Sequence, residues 1–101
     1  VSSQAFCAVG WMLITLDWSG DALRVLEAGR STETPGSHGF GLLLFYIGQC
    51  HHRLGHIAQA LKTYQEAKST LENCGSGNTL EYANLLMAIA MIYDQVKGRH
   101  E

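Results

Sequence analysis

The amino-acid sequence predicts an all-α protein, and three observations support this. Five segments carry apolar residues at the i, i+3, i+4 and i+7 spacing of a helix with one buried face. No segment alternates apolar and polar residues at the two-residue period of a strand, and no tight turn joins two apolar runs into a hairpin. Stretches rich in Gly, Ser, Asn and Pro separate several of the helical segments, and these residues interrupt helices.

The first two predicted helices are separated by a short turn. The first covers about residues 3–16, and the turn covers residues 17–20. The second begins near Asp21, whose carboxylate suits the positive end of a helix dipole, and Gly29 closes it or lies near its end. A loop over residues 31–39 follows, with one Pro and two Gly, and it is the clearest break in the chain.

Three further helices follow this loop. The third covers about residues 40–54 and is closed by Gly55, which can adopt the left-handed conformation that ends many helices. The fourth covers about residues 57–73 and has the most regular apolar stripe. The fifth begins near Thr79, whose hydroxyl can cap it, and ends near Val96. Short linkers within the first two pairs favour antiparallel neighbours, so the prediction is two helix pairs and one unpaired helix.

Composition and charge narrow the classes of function. The chain has 101 residues, which is enough for one small domain, and 47% of them are hydrophobic. Its net charge is −2, so we expect no capture of nucleic acid or of an anionic membrane. Three cysteines without a metal-type spacing predict reduced thiols in a cytosolic or nuclear setting, and we expect a cytoplasmic protein. No apolar run reaches the length of a membrane span, and we expect both ends to be cuts in a longer protein.

A recurring order of large and small residues runs through the third and fourth helices. Over residues 41–72 it reads Leu44-Phe45-Tyr46-Ile47-Gly48, then Leu54-Gly55, Ala60-Leu61, Tyr64 and Ala67. This order resembles the tetratricopeptide repeat. Small residues at Gly48 and Ala60 would let two helices approach closely, whereas Tyr64 would fill the space between pairs.

Two less complete copies flank this one. The earlier copy has Gly10 at the position of Gly48, with Asp17 in place of the turn glycine and Gly29 in place of an alanine. The later, partial copy has Ala90 at the position of Gly48. We call the displacement along the sequence from Gly10 to Gly48 the earlier shift, and the displacement from Gly48 to Ala90 the later shift. We therefore divide residues 1–101 into a repeat over about 3–36, one over about 41–74, and a partial one over about 79–101.

The long spacing of the copies is similar to that of kinesin light chains and of spindle-orientation scaffolds. The resemblance implies antiparallel helix pairs stacked as a right-handed solenoid. An ordinary helical bundle, whose apolar stripes mimic a repeat, is the alternative.

The resemblance also implies a scaffold for protein–protein interaction, because the first helix of each pair lines a concave groove in this family. Carried over by offset, the groove residues are Cys7, Trp11, Phe45, Gln49, His52, Arg53, Met87, Met91 and Gln95. Chaperone-binding members clamp a terminal carboxylate with lysines and asparagines, but the positions here are apolar, aromatic or neutral. We expect a protein or peptide partner with an apolar or amphipathic segment. The alternative is a spacer in a longer solenoid whose binding site or catalytic domain lies elsewhere.

Residues 50–52 have the sequence Cys-His-His, and such residues can form a metal site or a catalytic nucleophile–base pair. His52 and His56 are four residues apart, as two metal ligands on one helical face would be, but Gly55 ends the helix between them. Cys50 and His51 are adjacent in a helix and point in different directions, unlike a nucleophile and its base. We therefore expect no enzyme activity, no metal and no cofactor.

The fifth helix is apolar on more than one face. Its apolar residues include Leu85, Leu86, Ile89, Ile92 and Tyr93, and packing on the fourth helix alone cannot bury all of them. We expect a longer parent chain, or self-association with another copy of the protein, to cover the remainder.

Overall fold

The computed structural model describes the backbone of residues 3–98 and the side chains of residues 5–96. The predicted all-α class is confirmed, since these residues form helices joined by turns and contain no strand. The helices, in chain order, are α1 (Ser3–Thr15), α2 (Ser19–Thr32), α3 (His38–Arg53), α4 (Ile57–Asn73) and α5 (Leu80–Gly98).

The bounds of α2, α3 and α5 differ by two or three residues from the predicted ones. Helix α2 begins at Ser19 and continues past Gly29 to Thr32. Gly29 is a packing residue and not a terminator, because a Cβ atom there would lie 2.6 Å from Cγ of Phe6 on α1. Helix α3 begins two residues before the predicted start, because the Ser37 side chain accepts a hydrogen bond from the backbone N–H of Phe40 and caps the helix.

Contacts at glycines show that the helices of each pair run in opposite directions. A Cβ atom on Gly41, near the start of α3, would lie 2.7 Å from Leu71 near the end of α4. At Gly48, further along α3, the nearest atoms belong to Tyr64, which comes earlier in α4. The predicted close approach at Gly48 is therefore present, but the side chain nearest to Gly48 is Tyr64, which we expected between the pairs, and not Ala60. In the first pair, Gly10 meets Leu26 in the same way.

The turn inside the first pair has the same backbone structure as the turn inside the second. Asp17 has φ of 66° and Gly55 has φ of 86°, so both adopt the left-handed conformation. The next residue in each turn donates a backbone hydrogen bond of 2.8 Å, from Trp18 to Leu13 and from His56 to His51. The earlier shift of the sequence repeat relates each position in the first turn to its counterpart in the second. Asp17 thus takes the conformation of the turn glycine that the pattern lacks.

The core consists of two clusters that meet at α3. The first joins α1, α2 and α3 around Ile14, Leu26 and Ile47. The second joins α3, α4 and α5 around Tyr64, with Leu85 and Ile92 contributed by α5. Each helix packs on the next one in the chain, and α1 also packs on α3. Helix α5 is also joined to α3, through the second cluster and through a contact between His52 and Gln95.

No helix in the described part of the chain combines the length and the apolar content that crossing a membrane requires.

Candidate partner-binding groove

An open cleft lies between α1, α3 and α5, and we call it the groove. It has a volume of about 440 Å³ and is lined by Trp11, Phe45, Tyr46, Gln49, Asn84, Met87, Ala88 and Met91. A second cleft of about 360 Å³ shares several of these residues and extends toward the end of α3, where it adds His52, Arg53 and Tyr64. We treat the two clefts as one groove because Trp11, Gln49, Ala88 and Met91 line both.

Aromatic side chains form a connected series across the groove. The ring of Trp11 on α1 lies 6.1 Å from that of Tyr46, measured between centroids, and Tyr46 lies 5.2 Å from Phe45. Phe45 in turn lies 6.0 Å from Tyr64 on α4. These distances fall in the range of favourable tilted ring pairs. Phe45 and Tyr64 are buried and hold the floor, whereas Trp11 is 48% exposed at one side.

Helix α5 supplies two exposed methionines to the opposite side of the groove. Met87 and Met91 are four residues apart, so they lie on one face of α5, and they are 63% and 61% exposed. An unbranched thioether side chain adapts its shape to different apolar surfaces. The groove therefore has a rigid aromatic floor and an adjustable apolar edge.

The end of the groove near the C-terminus of α3 is polar. His52 Nε2 and Gln95 Oε1 lie 3.1 Å apart, within hydrogen-bonding distance, and this contact connects α3 to α5. Arg53 is exposed beside it. Among the described residues that line the groove, Arg53 is the one that carries a permanent charge.

The phenols and the thiol beneath the groove are uncharged near neutral pH, and burial shifts their pKa values further above it. Burial raises the pKa of the Tyr46 phenol, and the nearby Cys7 and Glu81 raise it further. Burial also raises the pKa of Tyr64 and brings that of the Cys7 thiol to about 11. Because all three groups are uncharged near neutral pH, the groove offers mainly apolar contact and hydrogen bonding.

Most of the residues predicted from the repeat offset line the groove. Gln95 is an exception that reaches it through His52. Cys7 is the other exception, because it is buried and lines an adjacent cavity with Trp11.

Sequence reasoning missed four residues of the groove, which are Tyr46, Tyr64, Asn84 and Ala88. The repeat could have identified two of them. The later shift relates Tyr46 to Ala88, and each of these residues directly follows a predicted groove residue.

The histidines near Cys50 make separate contacts. His51 Nδ1 lies 3.4 Å from His56 Nδ1 at the turn between α3 and α4, whereas His52 turns toward α5. Burial lowers the pKa of His51, and His56 lowers it further. Cys50 is fully buried in the core, and burial raises its pKa to about 11. Within the described residues, no three His, Cys, Asp or Glu side chains gather as they would around a metal ion.

Comparisons with protein-family models, with curated proteins and with solved structures found no match to this chain.

Proposed function

We propose that this chain is a scaffold for protein–protein interaction, and that its groove holds an apolar or amphipathic segment of a protein partner. The observation that carries the proposal is the exposure of Trp11, Met87 and Met91 around one aromatic floor. Contiguous exposed apolar side chains next to a concave surface are typical of binding sites. A segment with one apolar face fits best, because the groove is apolar along most of its length and polar at one end.

We further propose that the helices form a right-handed solenoid of tetratricopeptide type. In support, the two pairs share turn conformation, turn hydrogen bonds and glycine contacts at positions that the earlier shift relates. A solenoid would place the first helix of each pair on its concave side, which agrees with a groove built by α1, α3 and α5. We propose a cytoplasmic location, in keeping with the three free thiols. We propose no catalytic activity, metal or nucleic-acid ligand.

Peptide selection tests this function. The Trp18→Phe variant leaves Trp11 as the single tryptophan of the two in the chain, so its fluorescence reports on the groove. Phage-displayed random peptides of about 16 residues, roughly four helical turns, are selected against this variant. We expect selected peptides to share apolar residues at i, i+3 and i+4 spacing and to shift the Trp11 emission to the blue on binding.

Three methionine variants decide whether the peptides use the groove. Met87→Ser and Met91→Ser should each weaken binding about fivefold, which corresponds to roughly 1 kcal/mol at an interface. Met12→Ser is the matched control, because Met12 is 59% exposed on α1 but does not line the groove. Equal binding by all three variants would refute the proposal that the peptides bind in the groove. Selection of no peptide at all would favour the alternative of a structural spacer.

A further inference from the structure

Helix α5 carries a second exposed face that is distinct from the residues lining the groove, and we call it the outer face of α5. It consists of Ala83, Leu86, Ala90 and Tyr93. Leu86 is 39% exposed and Tyr93 is 52% exposed. A cleft of about 420 Å³ runs along this face beside Gln65, Lys68 and Ser69 of α4.

The buried residues of α5 fix its alignment with α3. The residues of α3 that face the first helix pair are Leu43, Ile47 and Cys50. Those of α5 that face the second pair are Leu85, Ile89 and Ile92. The later shift relates each of these α5 positions to its counterpart on α3, so the two helices pack on the preceding pair in the same orientation.

With this alignment, the outer face of α5 corresponds to the face of α3 that α4 covers. Ala83, Leu86 and Ala90 take the positions of Gly41, Leu44 and Gly48, and Leu44 is fully buried under α4.

Helix α1 repeats the arrangement, because its Gly10 and Phe6 lie against Leu26 and Gly29 of α2. Equivalent faces of α1 and α3 are thus covered by a helix, whereas the face of α5 is exposed.

One side-chain contact joins α4 to the edge of this face. Gln65 on α4 donates a hydrogen bond of 3.0 Å to the hydroxyl of Tyr93. The residue of α3 at the position of Tyr93 is His51. Near the end of α3, His51 lies beside His56, which directly precedes α4. Because Tyr93 takes the position of His51, a helix that covers the outer face of α5 would begin near Tyr93.

We propose that the outer face of α5 binds an amphipathic α-helix of a partner protein, antiparallel to α5, in the way that α3 binds α4. This face continues the series of interfaces that α1 forms with α2 and that α3 forms with α4. It does not depend on the groove, because different residues form it.

The two helices that cover α1 and α3 define the chemistry of the partner. Both present a small residue, then a large one four positions later, then a small one three positions after that. These residues are Ala22, Leu26 and Gly29 in α2, and Ala60, Tyr64 and Ala67 in α4, and all six are buried. The partner helix carries the same spacing. It lies slightly farther from α5, because Ala90 has the Cβ atom that Gly10 and Gly48 lack.

A synthetic peptide with the sequence of residues 54–74 and the substitution Cys74→Ser is the probe. It contains the α4 pattern and the turn that precedes it. We expect saturable binding of one peptide per full-length chain in calorimetry. Leu86→Glu and Ala90→Glu in the chain should each weaken binding about tenfold or more. Leu86 and Ala90 are both exposed, so the two variants should melt at the wild-type temperature. Ala83→Glu is a third variant on the same face.

Met87→Glu is the matched control, since Met87 is on the groove side of α5, and it should change the affinity less than about twofold. Weaker binding by this variant would show that the peptide binds in the groove. That result would overturn this proposal and would leave the proposed function of the groove intact. Binding that Ala90→Glu leaves intact would mean that the peptide displaces α4 itself, and it would also overturn the proposal. So would an absence of saturable binding. A dimer in sedimentation that Leu86→Glu dissociates would identify a second copy as the occupant instead.

Discussion

Replacing Gly48 with alanine measures how tightly α3 and α4 pack. The new Cβ atom would lie 2.6 Å from Cδ1 and Cε1 of Tyr64. That ring is 1% exposed and packs on Phe45, so it cannot move aside. Overpacking of this kind costs about 1–3 kcal/mol. The higher helix propensity of alanine offsets about 1 kcal/mol of this cost, so the net loss is about 0–2 kcal/mol.

Gly20→Ala isolates the packing contribution. Gly20 also lies in a helix, but a Cβ atom there would meet nothing within 4 Å. This variant lacks the clash and gains helix propensity, by less than an interior position does because Gly20 lies in the first turn of α2. The difference between the two variants therefore approaches the packing cost of about 1–3 kcal/mol. Far-ultraviolet circular dichroism during heating should place the melting temperature of Gly48→Ala roughly 4 °C or more below that of Gly20→Ala. Equal melting temperatures would show that the helices have room at Gly48 and would refute the argument.

Three further predictions concern stability and reactivity. Asp17→Gly should stabilise the chain by about 0.5–1 kcal/mol in urea unfolding, because it removes a left-handed conformation from a residue with a Cβ atom; a loss of stability would contradict this. His51 has a lowered pKa in the fold, so the unfolded chain binds more protons, and stability should fall as the pH drops below the ordinary value of 6.5. His51→Gln should flatten this part of the profile of melting temperature against pH, and an unchanged slope would count against it. A disulfide-exchange reagent should modify exposed Cys74 quickly, and buried Cys7 and Cys50 only after unfolding; rapid reaction of all three thiols would show that the core is open.

Helix number and type were predictable because they depend on local pattern. The regular spacing of apolar residues along each helix is visible in the sequence, and Gly55 and Thr79 mark a helix end and a helix start by their own chemistry. Gly29 was misleading for a physical reason. A glycine that ends a helix and a glycine that makes room for Phe6 look the same in the sequence.

The groove was predictable as a set of helix positions but not as a surface. A fixed offset placed Trp11, Gln49 and Met91 on corresponding positions of three helices. It could not show that Tyr46 connects Trp11 to Phe45, because that depends on the distance between α1 and α3. Nor could it show that His52 reaches Gln95, a contact between residues far apart in the chain.

The sequence by itself determined the all-α class, the order of the five helices and the recurrence that relates the first pair to the second, since each follows from local spacing and turn chemistry. Tertiary structure alone decided which faces are covered. Leu44 and Leu86 are leucines at matching positions of α3 and α5, yet one is fully buried and the other is 39% exposed. The difference arises because α4 covers α3, whereas no helix in the described part of the chain covers the outer face of α5.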